Sequence, residues 1–376
     1  MQLVACGLGG AGSRLADALA AADRSASRSC VTDSVALDTD KRSLASLDAI
    51  PTESRHLYGA LDASGRGFAG NRQQAAAAAD EELTELFRAV DDHVSSQADA
   101  ILLCVGLAGA SGSTLLPTLA AELQEVYELP IYGLGVLPGE GADNQTLLEA
   151  NAGAAIEAVA DATDALLVFD NALWTKTAED DSDPEVRDRL NGTLATRVTA
   201  LFTAGEADAA GRVAESVVDA SELINTLDAG GIATLGYATQ DIEQPTESRF
   251  GLGLFEQDVD PDETTAIKAI ETTVRRAVNG KLTVEADRGS VSRGLLVTGG
   301  PPEWLNRRAI SDVRSWLAQE TGSVEIRGGD LPEPGGDSIT MVVLLTGVRS
   351  CRRVDELLAA GDHRSEERRV GKECRL

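Results

Sequence analysis

Lysine is scarce in this chain of 376 residues: Lys41, Lys176, Lys268, Lys281 and Lys372 are all there are, and arginine supplies the remaining positive charge. Acidic residues outnumber basic ones so far that the net charge is −28. Such a balance argues against nucleic acid and anionic membrane surfaces, both of which repel an acidic protein. It suits a protein solvated in concentrated salt, where self-repulsion is screened. Histidine is limited to His56, His93 and His363, and none of the five cysteines forms a CxxC pair, which argues against a zinc site or other protein-held metal. An odd, widely spaced cysteine set also argues against a disulfide framework, and Cys6 and Cys104, inside apolar runs, read as core. No apolar run approaches the roughly 18 residues of a membrane span. The opening MQLVACGLGG has no basic n-region, so a cytoplasmic location is expected.

What the chain has is 43% apolar content and apolar runs that alternate with helical patterns. LVAC, CVTDSVALDTD, AILLCV, LPIYGLGVL and ALLVFDN read as strands, with helical stretches between them. AAAAADEELTELFRAVDDHV reads as one helix. These strands are apolar throughout, the pattern of a parallel sheet covered on both faces. The expected class is α/β: a parallel-sheet nucleotide-binding domain over 1–183, a long central helix over 184–205 and a smaller α+β domain over 206–361. Within that last part, 240–262 is polar and rich in Gly, Asp and Glu. The tail 362–376, DHRSEERRVGKECRL, turns abruptly basic and resembles a cloning or sequencing artefact, so it is set apart from the fold argument.

Two glycine-rich loops follow strands and precede helices. Gly7-x-Gly9-x-x-Gly12 matches a dinucleotide fingerprint, with Asp33 or Asp38 as the acid near the end of the second strand. Short matches of this kind also arise as tight strand-to-helix turns. GLAGASGST, Gly106 to Thr114, is a second candidate cradle. With no GxxxxGK[ST], phosphate binding would rest on main-chain N–H groups and helix N-termini. Ser111, Ser113 and Thr114 could add hydroxyls. Ala108 and Ala110 keep their N–H groups but disfavour positive φ and crowd an approaching phosphate. Both loops should meet at the carboxyl ends of one sheet, an arrangement a dehydrogenase does not require.

Taken in order, GLGGAGSR, GLAGASGST, YGLGVLPGEG, LLVFDNALW, VVDASELINTL, LLVTGGPPEWLNRRAI and VEIRGGDLP resemble the tubulin/FtsZ superfamily, specifically its archaeal CetZ group, over about 350 residues. The resemblance implies a cytoskeletal GTPase that binds GTP/GDP, with Mg²⁺ expected beside it, and assembles head to tail with itself or with paralogous subunits in cell shape or motility. It implies that Gly10, Ala11, Gly12 and Ser13 line the diphosphate while Gly9 shapes the turn. Gly70 and Asn71 fall in the γ-phosphate-sensing loop, and Gly109, Ala110, Ser111, Gly112 and Ser113 continue the cradle. Glu140 and Asn144 would approach the ribose, Asn171 the sugar or base, and Asn191 the guanine edge. On residues alone, Asn171 reads as a turn residue ending a strand and Asn191 as a solvated helix residue. Asp219 and Glu222 share a helix face by spacing, which on its own describes a solvated acidic surface. The resemblance makes them the acids that complete the next subunit's site, Glu222 foremost and Asp219 in support. Ala108, Ala110 and Thr114 stand where the family usually has glycine, and Ser111 where it has threonine. That leaves a weakly or non-hydrolysing regulatory paralogue as one alternative. An NAD-dependent oxidoreductase on the first loop is the other.

Overall fold

The structure, a computed structural model, describes residues 1–141, 144–176, 179, 183–205, 218–242 and 263–373, with backbone alone from 363 onward. Ten strands are present among these residues: β1 (Leu3–Leu8), β2 (Val31–Asp38), β3 (Arg55–Leu57), β4 (Ala100–Gly106), β5 (Ile131–Leu137), β6 (Ala165–Asp170), β7 (Ile232–Asp241), β8 (Arg293–Gly300), β9 (Glu325–Pro332) and β10 (Ser338–Val348). They form one sheet in the order β3-β2-β1-β4-β5-β6-β7-β10-β8-β9. From β3 to β6 every pairing is parallel.

Why the first strands carry no polar alternation is visible in β4. Ile101, Leu103 and Val105 pack on one face with Leu115, Leu119 and Ile156. Ala100, Leu102 and Cys104 pack on the other with Leu15, Leu19 and Val198. Each face is covered by helices, so both side-chain sets are apolar. Cys6 and Cys104 are fully buried, and burial pushes both thiols far up from their ordinary range. The central helix Pro184–Phe202 starts where its residues dictate, with Asp183 accepting a hydrogen bond from the N–H of Glu185 and proline in the first turn. Its Phe202 carbonyl accepts from the chain's amino terminus at 3.0 Å.

Two expectations need amending. The C-terminal strands do not form a sheet of their own. β7 joins the parallel half through Leu166↔Ile232 and Leu167↔Ala233, then pairs antiparallel with β10. The single helix expected across 75–94 is broken into Arg72–Glu81 and Leu83–Asp91. The break falls at Glu82, whose carboxylate accepts from the N–H of Gly59 at 2.7 Å, a tertiary contact that no local pattern announces. The helix before β9 begins at Arg307, where Asn306 caps it by accepting from the N–H of Ala309.

The last helix, Arg352–Glu373, runs into the basic tail. Its early part crosses the helix Gln145–Asp161 at close range: a Cβ on Gly153 would lie 2.0 Å from the Leu357 carbonyl oxygen. The segment 243–262 and the acidic turn at 180–182 lie outside the described residues.

Candidate functional site

The strand order reverses at β1, which lies between β2 and β4. In an open parallel sheet the crevice for a ligand opens at that switch, beyond the carboxyl ends of the strands. Both glycine loops leave their strands there. The first enters the helix Gly9–Ser25 and the second the helix Ser111–Val126. No side chain caps either helix N-terminus. Two neighbouring helix starts therefore present main-chain donors toward one crevice, the arrangement that attracts phosphate.

The loops touch through their glycines. Gly9 has φ +68°, and a Cβ there would sit 2.7 Å from the Gly112 nitrogen. A Cβ on Gly112 would sit 2.0 Å from the Leu8 carbonyl oxygen, and one on Gly12 2.1 Å from that of Cys104. Any side chain would push the two turns apart. Gly10 faces the far wall, where its Cβ would lie 3.3 Å from Asp38 Oδ2 and 3.5 Å from Arg14 Nη1. Asp38 is 3% exposed, its Oδ1 accepts from the N–H of Thr39 at 2.7 Å, and its Oδ2 is buried without a hydrogen-bond partner. Burial raises this carboxyl above its usual range. Burial, then the neighbouring Arg187, lowers the proton affinity of Arg14.

The side chains of the candidate residues divide. Ser13 is fully buried and its hydroxyl donates to the Gly7 carbonyl at 3.3 Å, which leaves only its main chain for a ligand. Ser113 is likewise buried, donating to the Gly109 carbonyl and accepting from Arg72. Ser111 shares a 2.7 Å hydrogen bond with the Thr39 hydroxyl. The N–H of Gly109 donates to the Gly106 carbonyl at 3.1 Å, so this amide is turned inward. Asn71 caps its own helix, accepting from the N–H of Gln74 at 3.3 Å, beside Gly70 at φ +82°.

Two alanines expected to strain the loop do not. Ala110 lies at φ −78°, ψ −51°, ordinary right-handed backbone. Among the described residues only Ser64 and Ala69 combine a side chain with positive φ. The Ala110 methyl packs in a small cluster with Ala63, Phe68, Ala75 and Ala78 rather than filling the crevice. The glycine positions of this loop are thus not all conformationally demanding.

Glu140 and Asn144 follow the carboxyl end of β5 and are exposed, while Asn171 opens a short helix at the end of β6. Asn191 is half-buried on the central helix, one turn beyond Arg187. Glu140, Asn144 and Asn171 belong to the carboxyl-end face. Asp33 does not. It sits near the start of β2, paired with His93 at 2.9 Å, so it cannot serve as the ribose acid of a dinucleotide site.

Sequence reasoning missed two organisers. Asn151, 5% exposed, donates from Nδ2 to the Gly70 carbonyl at 3.1 Å and to that of Ala108 at 3.4 Å, stitching the two outer loops together. Arg353, from the last helix, donates to the Pro138 carbonyl at 3.4 Å and lies 3.9 Å from Asp170. Burial, partly offset by Arg353, raises Asp170 to about 6. An alternation of apolar residues could have flagged Asn151 as an inward-facing polar group; nothing local marks Arg353.

Asp219 and Glu222 lie at the opposite end. Their helix, Ala220–Leu227, leads into the start of β7, next to the start of β6, where the N–H of Leu166 donates to the Gly231 carbonyl at 2.9 Å. A six-residue strand such as β6 spans about 20 Å, so the acids and the crevice of one chain are on opposite faces. Asp219 is the helix cap, accepting from the N–H of Glu222 at 3.0 Å and from the Ser221 hydroxyl, and these bonds hold it below the usual carboxylate range. Glu222 is paired with Arg327 at 2.7 Å. Among the described residues no group of three or more His, Cys, Asp or Glu is placed to hold a metal, and no helix is long and apolar enough to cross a membrane.

Comparison with known proteins agrees with this geometry. Residues 2–179 match the Tubulin/FtsZ family GTPase domain and residues 180–362 the Tubulin-like CetZ C-terminal domain. Tubulin-like protein CetZ5 of Haloferax volcanii is 40% identical over 98% of this chain and 93% of its own length. The GDP-bound monomer of CetZ1 from the same organism superposes with a TM-score of 0.83 at 34% identity, covering 97% of this chain and 100% of that one. The GTPγS-bound protofilament of its CetZ2 gives 0.84 at 34%, covering 98% and 100%. At 19% identity and a TM-score of 0.67, an FtsZ dimer of M. jannaschii shares the fold. The chain belongs to the tubulin/FtsZ family, in its CetZ group.

Proposed function

We propose that this chain is a cytoskeletal GTPase that binds GTP in the crevice between Gly9–Ser13 and Ala110–Ser113, assembles head to tail, and hydrolyses GTP only where the next copy supplies Glu222. The observation that carries this reading is polarity: crevice and acids lie at opposite ends of the same strands. One chain cannot bring them together, whereas stacking copies end to end does, and a contact of that kind propagates into a filament. Two uncapped helix starts neutralise a di- or triphosphate without a lysine. Gly70 and Asn71, beside the second loop, are the segment that answers to the γ-phosphate. Glu140, Asn144, Asn171 and Asn191 take the sugar and base. Mg²⁺ comes with the nucleotide's phosphates, which is its usual mode.

In hydrolysis the protein's part is positioning and charge placement. Glu222 orients water toward the terminal phosphate, and Asp219 holds the helix that presents it. GDP bound by CetZ1 and the protofilament formed by CetZ2 support nucleotide-linked assembly here. The location is cytoplasmic and the role is in cell shape or motility, with paralogous subunits as further partners. The relaxed geometry of Ala110 favours retained hydrolysis over the non-hydrolysing alternative.

The test is GTP turnover and light scattering in molar KCl across a range of protein concentrations. Turnover per subunit should climb with concentration, because each site needs two copies. A constant specific activity, or displacement of bound label by NAD and not by GTP, would overturn the reading.

A further inference from the structure

The helix Ala220–Leu227 is fastened to the edge of the sheet at both ends by arginines. At its far end Arg293, the first residue of β8, donates to the Asn225 carbonyl at 2.6 Å and pairs with Asp228 at 3.2 Å and Glu325 at 2.7 Å. At its near end Arg327 of β9 donates from Nη1 to Glu222 Oε2 at 2.7 Å, with both side chains 36% exposed. A glutamate three residues after a capping residue commonly folds back onto that residue's own N–H. Here Asp219 supplies the cap, and Arg327 draws the Glu222 carboxylate outward instead. The hydrogen bond is single, Nη1 to Oε2, and not the two-pronged fork that would occupy both carboxylate oxygens.

We propose that Arg327 is a positioning residue: it grips one oxygen of Glu222 so that the other is presented, in a fixed direction, to the nucleotide face of the next copy. The idea rests on the proposed function, since it needs Glu222 to act in trans. A glutamate free to rotate on three bonds rarely points one way in solvent. Anchoring one oxygen removes that freedom before assembly, and reaction rates fall steeply with small misplacements of the acting group. Arg293 keeps the helix itself in place, so the two arginines have separable tasks.

The full-length protein, polymerised with GTP in molar KCl, tests this by turnover per pelleted subunit. Arg327→Ala should lower kcat about tenfold with KM for GTP little changed, and Arg327→Lys should recover most of the loss. In a Glu222→Gln background, Arg327→Ala should add no further loss, because the group it aims is already disabled. Unchanged or raised turnover in Arg327→Ala would overturn the proposal. So would an equal loss in the Glu222→Gln background, or failure of both Arg327 variants to assemble while Glu222→Ala assembles normally. Normal turnover in Glu222→Ala itself would instead bring down the trans reading, a result the same set of proteins separates from the others.

Discussion

The two ends of the parallel sheet are built by different means. At the carboxyl end, backbone meets backbone: Gly9 against Gly112, Gly112 against Leu8, Gly12 against Cys104, all at distances where no side chain fits. At the amino end a short helix buries Leu223, Thr226 and Leu227 in the core and leaves its acids on the surface, where a capping aspartate and a few half-exposed ion pairs hold them. Surface pairs of that kind contribute little stability. The crevice is thus welded into the fold, whereas the acids stand on the exposed side of their helix, where they can be replaced without disturbing its buried leucines. Substitutions that part the glycine contacts should cost stability and binding together, and substitution of Glu222 should cost turnover alone.

The sharpest break of that contrast is Gly12→Ala. Its methyl would have to move the Cys104 carbonyl, and we expect a loss of roughly 3 kcal/mol, read as a lower Tm in molar KCl, with nucleotide binding lost in parallel. A Tm within 1 °C of wild type, where roughly 3 kcal/mol should shift a chain of this size by about 4 °C, would contradict the close approach. Glu222→Ala should do the reverse, with turnover down about a hundredfold, GTP affinity unchanged and Tm nearly unchanged. Any large drop in Tm would show that the pair of Glu222 with Arg327 is structural after all.

Asp170 sharpens the first side by pH. Its carboxyl is raised from 3.8 to about 6 by burial, so the folded chain holds a proton that the unfolded chain releases between those values. Its favourable contribution is complete below the lower value, declines as pH rises through the window, and is gone above about 6. Asp170→Asn should flatten the stability profile between pH 4 and 6 and leave the protein about 1–2 kcal/mol more stable than wild type above it. An unaltered slope would mean that Arg353 compensates the buried charge. The mildest effect is expected at the cap of the opposite end. Asp219→Ala should cost about 1 kcal/mol, whereas Asp219→Asn, which keeps the capping oxygen, should be neutral in stability and within about twofold in turnover.

Much of this was legible before the structure, for local reasons. A glycine that must accept φ +68°, as Gly9 does, or an apolar strand buried on both faces, as β4 is, leaves its mark in consecutive residues. The carboxyl-end crevice could be read because strand, glycine turn and helix are contiguous. The organisers were not legible. Asn151 to Gly70, Glu82 to Gly59, Arg327 to Glu222 and Arg353 to Asp170 each join residues distant along the chain. Each depends on how helices settle on the finished sheet. The alanines of GLAGASGST misled for the same reason: what decides their cost is the backbone angle at Ala110 and the small cluster beneath it, and neither is written in the loop.

The most direct test mixes two disabled proteins. Glu222→Ala keeps the crevice and lacks the acid. Gly109→Asp keeps the acid and sets a carboxylate in the anion cradle, at an exposed position whose nearest neighbour to a new Cβ is 3.3 Å away. Each alone should be inactive. Mixed in equal amounts in molar KCl, they should regain GTP turnover, because Glu222 of one copy can meet the nucleotide held by the other. A mixture as inactive as its parts would contradict a site completed between subunits.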